Sequence, residues 1–276
     1  MADHHRLRHR KGLVVLYLGG AVALVPWISY LYLVQAPRGL AHNVAWLTGG
    51  LLALIAAGAV STAALWFFDS PAWMVGASLT ASLAFATAWF HLSAPSHTHS
   101  TVVTIRTFVV LGLPLALFAW ALSVWLAQPR GEKGSLALGF AYIVAGVLLA
   151  LGAARFVSFA PPTEAVFHLR LMWCGLDVFE AVGMALTGWF LHTRSRHVVV
   201  AAAATGALLL ADAWSNVTAT TSTAREAALA MAVVEVSLAV LSVVVAVTVA
   251  FEAHRMHLGR RSTPAMAASS SGAAHQ

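Results

Sequence analysis

The amino-acid sequence predicts an all-α fold, a polytopic transmembrane bundle of about eight helices, and three observations carry that expectation. Sixty per cent of the 276 residues are hydrophobic and nine per cent are charged, with a mean hydropathy of +0.80, a composition suited to lipid rather than water as solvent. The apolar residues fall into eight runs, and each approaches or exceeds the ~20 residues a helix needs to cross a bilayer. The basic residues gather in the flanks and loops of these runs. The formal charge of +6 therefore reads as a topology signal, and nucleic acid is not expected as a partner.

Residues 1–11 form a basic N-terminus containing His4, His5, Arg6, Arg8, His9, Arg10 and Lys11. A secretory signal shares such a flank, yet no small-residue cleavage site follows before Pro26, Trp27 and Tyr30, so the run over 12–34 reads as a retained span. The second, third and fourth spans cover 44–68, 72–92 and 102–127. A cytoplasmic linker at 128–134 leads to the fifth at 135–157, and the sixth, seventh and eighth cover 168–192, 197–217 and 226–251. The tail at 252–276 begins basic, with His254, Arg255 and His257, and its Ala/Ser-rich end from Ser262 is expected to be disordered. Trp27, Trp46, Trp66, Trp73, Trp89, Trp120, Trp125, Trp189 and Trp214 lie mostly near span ends, where interfacial anchors belong. Gly49, Gly50, Gly175 and Gly183 allow close approach of neighbouring helices.

Orientation follows from the side on which each Lys or Arg falls. Eleven (Arg6, Arg8, Arg10, Lys11, Arg130, Lys133, Arg194, Arg196, Arg255, Arg260 and Arg261) share one side, and five (Arg38, Arg106, Arg155, Arg170 and Arg225) share the other. The imbalance puts both termini in the cytoplasm. Arginine outnumbers lysine, and with the Ala/Val/Leu bias this points to a high-GC bacterium and its plasma membrane.

The chain also resembles itself. Trp46-Leu47-Thr48-Gly49-Gly50 in the second span is echoed by Trp173-Cys174-Gly175-Leu176-Asp177 in the sixth, and Thr87-Ala88-Trp89 in the third by Asp212-Ala213-Trp214 in the seventh. The interval stays near 125 residues. A four-helix unit duplicated in tandem, 12–127 and then 135–251, accounts for this. Because four is even, the copies are expected to be parallel repeats about an axis along the membrane normal.

The runs Trp173-Cys-Gly-Leu-Asp177, Asp212-Ala-Trp214-Ser-Asn216-Val217 and Glu235-Val-Ser-Leu-Ala239 resemble a group of small multi-pass membrane proteins common in actinobacteria. In that group a Trp-x-Gly-x-Asp helix precedes an Asp-Ala-Trp-x-x-Val helix and a Glu-x-x-Leu-Ala helix. The resemblance spans residues 150–250 well and the first half weakly; it implies an architecture and no reaction. Ser215-Asn216 departs from the group's aromatic and acidic pair, which removes any role needing a carboxylate at Asn216.

Four of the ten acidic residues, Asp177, Glu180, Asp212 and Glu235, lie inside apolar spans, all in the second copy. Their first-copy counterparts by motif are about Gly50, Ala53, Thr87 and Gly112. Each carboxylate near the bilayer centre costs roughly 2.5–3.5 kcal/mol to insert, so four on three consecutive helices call for a common reason. Counted from the outer span ends they lie in the outer half or at the midplane, where a polar cavity between the sixth, seventh and eighth helices would collect them with Asn216. Crowded carboxylates in a low dielectric cannot all stay ionised.

Three uses are open. The acids form a proton or ligand site, which a hard divalent cation can occupy; they supply an acid–base pair to an enzyme; or Arg170, Arg106 and Arg225 neutralise them in packing pairs. His97 and His99 in an outer loop, with His168, make a weaker metal candidate. The lone Cys174 excludes an internal disulfide. The absence of lysine from the spans excludes a retinal Schiff base, and no phosphate-binding glycine loop is present. No resident cofactor is expected. The partners are the lipid bilayer, an unidentified small molecule or ion, and a second copy of the chain if it oligomerises. The leading expectation is a small proton- or cation-coupled secondary transporter, followed by a membrane-embedded enzyme acting on a lipid or isoprenoid, then a non-catalytic scaffold.

Overall fold

A computed structural model of the chain describes residues 2–30, 33, 42–93, 136–159, 164–219 and 225–271. Seven helices are found among them: α1 (Ala2–Tyr30), α2 (His42–Phe67), α3 (Trp73–Leu92), α4 (Leu136–Phe159), α5 (Glu164–His192), α6 (Val198–Ala219) and α7 (Arg225–Ser271). The expected fourth span, 102–127, lies outside the described residues, so α4 to α7 correspond to the fifth to eighth spans. Five helices are long and apolar enough to cross a membrane, over Trp46–Phe67, Trp73–Phe90, Trp173–His192, Val198–Thr218 and Ala228–Arg255. In α1 and α4 the apolar stretches are shorter, Gly12–Pro26 and Ala137–Leu151.

The outward faces fit lipid. Val15, Val22 and Val25 on α1, Phe140, Val147, Leu148 and Leu151 on α4, and Val233, Val240 and Val244 on α7 are all exposed, an arrangement that water would not tolerate over so large a surface. The described residues thus form an all-α protein whose helices fit a multi-pass membrane bundle.

Two boundaries differ from expectation. The basic residues at 2–11 continue α1 without a break, and α7 runs through the tail to Ser271 where disorder is expected from Ser262. Extending an existing helix requires no new nucleus, and Ala265, Ala267 and Ala268 are strong helix formers.

The central helices are α3 and α6, which pack against each other; α2 and α5 flank them, α1 lies on α2, α4 on α5 and α7 on α6. Small side chains make this proximity possible. Ala77, Ala84 and Ala86 of α3 and Ala202, Ala203, Ala207 and Ala211 of α6 are fully buried, allowing the close backbone approach by which helices associate in lipid. On α7 the buried positions Ala228, Ala232, Glu235, Ala239, Ser242, Ala246 and Ala250 recur every three or four residues, a seam of small residues interrupted by one acid.

Contacts made by α2 and α3 recur 125 residues later in α5 and α6. Both hairpins turn through a left-handed non-glycine residue, Asp69 (φ 57°) and Arg194 (φ 53°). In the first, the N–H groups of Ser70 and Asp69 donate to the carbonyls of Leu65 (2.8 Å) and Trp66 (3.2 Å); in the second, those of Ser195 and Arg194 donate to Phe190 (2.8 Å) and Leu191 (3.3 Å). These are paired Schellman caps. Each next helix opens on a serine whose Oγ accepts a backbone N–H at 3.3 Å, Ser70 from Ala72 and Ser195 from His197. Thr62 and Thr80 donate to the carbonyls of Gly58 and Gly76, as Thr187 and Thr205 do to Gly183 and Ala201. At that interval of 125 residues Leu52 and Ile55 stand opposite Asp177 and Glu180, two residues on from Gly50 and Ala53, and Thr87 stands opposite Asp212. The counterpart of Glu235 lies outside the described residues.

The tryptophans divide. Trp46 and Trp189 are exposed, as anchors should be, whereas Trp66 (8 % exposed) and Trp73 (6 %) are buried against each other edge to face at 3.8 Å between centroids. Trp214 lies directly over Gly50, and Trp89 directly over Gly175. An indole can fill the space left by a missing side chain on a neighbouring helix.

Candidate functional site

Each acid reaches the site because its helix buries the stripe on which it sits. On α5 the buried positions Leu176, Glu180, Met184, Thr187 and Leu191 recur at helical spacing, which puts Glu180 in the middle of the packed face with no exposed surface. Asp177, three residues earlier, lies half-buried on the flank of that stripe. On α6, Asp212 is 4 % exposed between Ala211 and Ala213, and on α7 Glu235 is 5 % exposed within the small-residue seam.

These side chains meet. One carboxylate oxygen from each of Asp177, Glu180 and Asp212 lies within 4.8 Å of the others. The carboxyl groups of Asp212 and Glu235 lie within hydrogen-bond reach of each other; two carboxyl groups so close hold a proton between them or repel. The Asn216 amide nitrogen donates to both oxygens of Glu235, at 2.9 and 3.0 Å. Ser215 Oγ donates to Asp212 Oδ1 at 3.1 Å and lies 2.9 Å from the Asp212 carbonyl. Both oxygens of Glu180 are buried with no hydrogen-bond partner among the described residues.

Among the described residues no lysine or arginine contributes to the surroundings of the four acids, whose polar and charged neighbours are one another, Ser215 and Asn216. Arg225 is exposed at the start of α7, ten residues from Glu235 and hence roughly 15 Å away along the helix. The side chains of Arg170 and His168, and all of Arg106, His97 and His99, lie outside the described residues. Cys174 lies half-buried in α5, one turn before Asp177.

Aromatic rings close the α3 side. Phe179, beside Glu180, meets Phe85 at 4.8 Å and Trp89 at 5.2 Å, both edge to face. Trp214 donates its indole N–H to the carbonyl of Trp46 at 3.2 Å, joining α6 to α2 just beyond Asp212. The site is thus a cluster of carboxyl oxygens among apolar side chains, able to hold protons or a cation. Ser215 turns back on its own helix, so it offers no activated nucleophile.

Two features escape a reading of the sequence. The serine at Ser215 becomes informative only once Asp212 is known to face inward, three residues before it. The buried pair Tyr142–Ser242, with hydroxyls 2.9 Å apart, joins α4 to α7; its one signal is that Ser242 follows Glu235 by seven residues, on the same face. Comparison of the chain with protein-family models, with curated proteins and with solved structures gave no match.

Proposed function

We propose that this protein is a small secondary carrier of a bacterial plasma membrane, coupled to protons or a cation through the carboxyl cluster in the outer half of the sixth to eighth spans. The observation that carries the reading is the convergence of Asp177, Glu180, Asp212 and Glu235 from three helices with no basic partner among the described residues. Buried acids that serve packing are ordinarily paired with a base, because an unpaired buried charge costs several kcal/mol, on the order of 3–5 when one partner is removed. Acids kept without one mark proton or ion pathways in membrane proteins.

The proposed architecture is eight spans with both ends cytoplasmic, formed by a duplicated four-helix unit. The recurring caps, left-handed turns and threonine bonds at the 125-residue interval support the duplication. Within it, Leu52 and Ile55 are apolar where Asp177 and Glu180 are acidic, so one copy supplies the chemistry and the other the frame. An enzyme acting on a lipid would need a side tunnel lined by Trp and Phe. The described apolar groove, about 260 Å³ between α3, α6 and α7, is lined by Leu79, Gly206, Leu210 and aliphatic residues of α7, and by none of the acids.

The test is flux in proteoliposomes holding the full chain and a pH-reporting dye, with gradients of Na⁺, K⁺, Mg²⁺, Ca²⁺ or Mn²⁺ imposed in turn. At least one gradient should drive proton movement in the wild type, and Asp212→Asn should reduce it about tenfold or more, equivalent to ~1.4 kcal/mol at the limiting step, while still inserting. Wild-type liposomes indistinguishable from empty ones under every gradient, with mutants that only lose abundance, would establish the scaffold instead.

A further inference from the structure

We infer that Asp177, Glu180 and Asp212 bind one hard divalent cation. This deepens the carrier reading, on which it rests, by naming what occupies the site.

Two observations carry the inference. The first is spacing: one oxygen from each of the three side chains lies within 4.8 Å of the others. Oxygen ligands stand ~2.0–2.6 Å from Mg²⁺ or Ca²⁺, so oxygens that share one such ion lie within ~5 Å of one another. The second is Glu180. Its carboxyl group has no exposed surface, one of its oxygens faces those of Asp177 and Asp212, and neither oxygen has a hydrogen-bond partner among the described residues. A single proton would satisfy only one of those oxygens; a cation can use both.

Hydrogen bonds hold the neighbouring groups in place. Glu235 has both oxygens engaged by Asn216. Ser215 engages one oxygen of Asp212 and fixes the rotamer of its carboxyl group, as outer hydrogen bonds do for metal ligands. The donor set is all carboxylate, with neither imidazole nor thiol, which selects a hard ion.

The experiment uses the full chain, purified in detergent and stripped with chelator, with Mn²⁺, Ca²⁺ and Mg²⁺ added singly. Bound Mn²⁺ is counted by loss of the free-ion paramagnetic resonance signal, and thermal unfolding is followed in parallel. Wild type should bind about one Mn²⁺, displaceable by Ca²⁺, with a rise in Tm of about 5 °C or more at a hundredfold excess over Kd. Glu180→Gln should lower Mn²⁺ affinity at least tenfold, and so should the half-buried Asp177→Asn if the first variant does not fold. Glu226→Gln, exposed at the start of α7, should match wild type. No bound Mn²⁺ in wild type, or equal binding in Glu180→Gln or Asp177→Asn, overturns the inference. Proton flux driven by Na⁺ or K⁺ in a protein that binds no divalent ion would leave the carrier standing and remove the cation site.

Discussion

The amide of Asn216 shows at a single residue how the carboxyl cluster is held. A fifth carboxyl group at this position would face Glu235 at hydrogen-bond distance, in a cluster that already lacks a base among the described residues. The amide reverses the sign of that contact by donating to both Glu235 oxygens. Replacing it by leucine leaves Glu235 without this donor, so Asn216→Leu should lose about 1–3 kcal/mol of stability, read as a lower unfolding midpoint in detergent. Asn216→Asp should lose more. Equal midpoints for all three proteins would show that Glu235 does not depend on the amide. The four acids were legible in the sequence because charge is rare in apolar spans, and their grouping followed from their similar depths. The isolation of Glu180 was not legible: the partners of a buried carboxylate are set by tertiary packing, which the spacing of residues along one helix does not encode.

At the scale of elements, the two halves meet through reciprocal insertions. Trp214 of α6 lies on Gly50 of α2, and Trp89 of α3 lies on Gly175 of α5. A methyl group at either glycine would overlap the indole, and such overpacking costs roughly 1–3 kcal/mol. Gly50→Ala and Gly175→Ala should therefore each lower the unfolding midpoint. Trp214→Leu should restore part of the loss in Gly50→Ala and none in Gly175→Ala, while Trp89→Leu should do the reverse. A double-mutant cycle without that crossed specificity would reject the paired insertion. The glycines were visible as sites of close approach, but their partners were not, since those tryptophans read equally well as interfacial anchors.

The hairpin turns carry a second prediction at this scale. Asp69 and Arg194 both occupy the left-handed region, which costs a residue with a Cβ roughly 1–2 kcal/mol and is eased for aspartate by local hydrogen bonding. Glycine removes the strain but loses more entropy on folding. Arg194→Gly should accordingly gain up to about 1 kcal/mol, and Asp69→Gly less, as measured by midpoint shifts in the full chain. Loss of stability in Arg194→Gly would mean that the arginine side chain contributes more than its backbone costs.

For the whole molecule, composition and the length of the apolar runs specified a helical membrane bundle before any coordinate was known, because lipid leaves a spanning chain few alternatives to the helix. Boundaries were legible wherever a turn interrupts hydropathy, as at Asp69 and Arg194, and illegible in α1 and α7, where polar sequence continues a helix already formed. The motif match of Trp46 with Trp173 implies an interval two residues longer than the 125 at which the turns, caps and threonine bonds recur. That register ties topology to an observable. With the positive-inside count, parallel repeats require the turns at Asp69 and Arg194 to share the cytoplasmic side. In a Cys174→Ala background, Asp69→Cys and Arg194→Cys should both resist a membrane-impermeant maleimide in intact cells and react in inverted vesicles, with His97→Cys showing the opposite pattern. Opposite labelling of the two turns would require inverted repeats and would move the carboxyl cluster relative to the membrane. The same labelling on the outer side would keep the repeats parallel, reverse the whole chain, and turn the carboxyl site toward the cytoplasm.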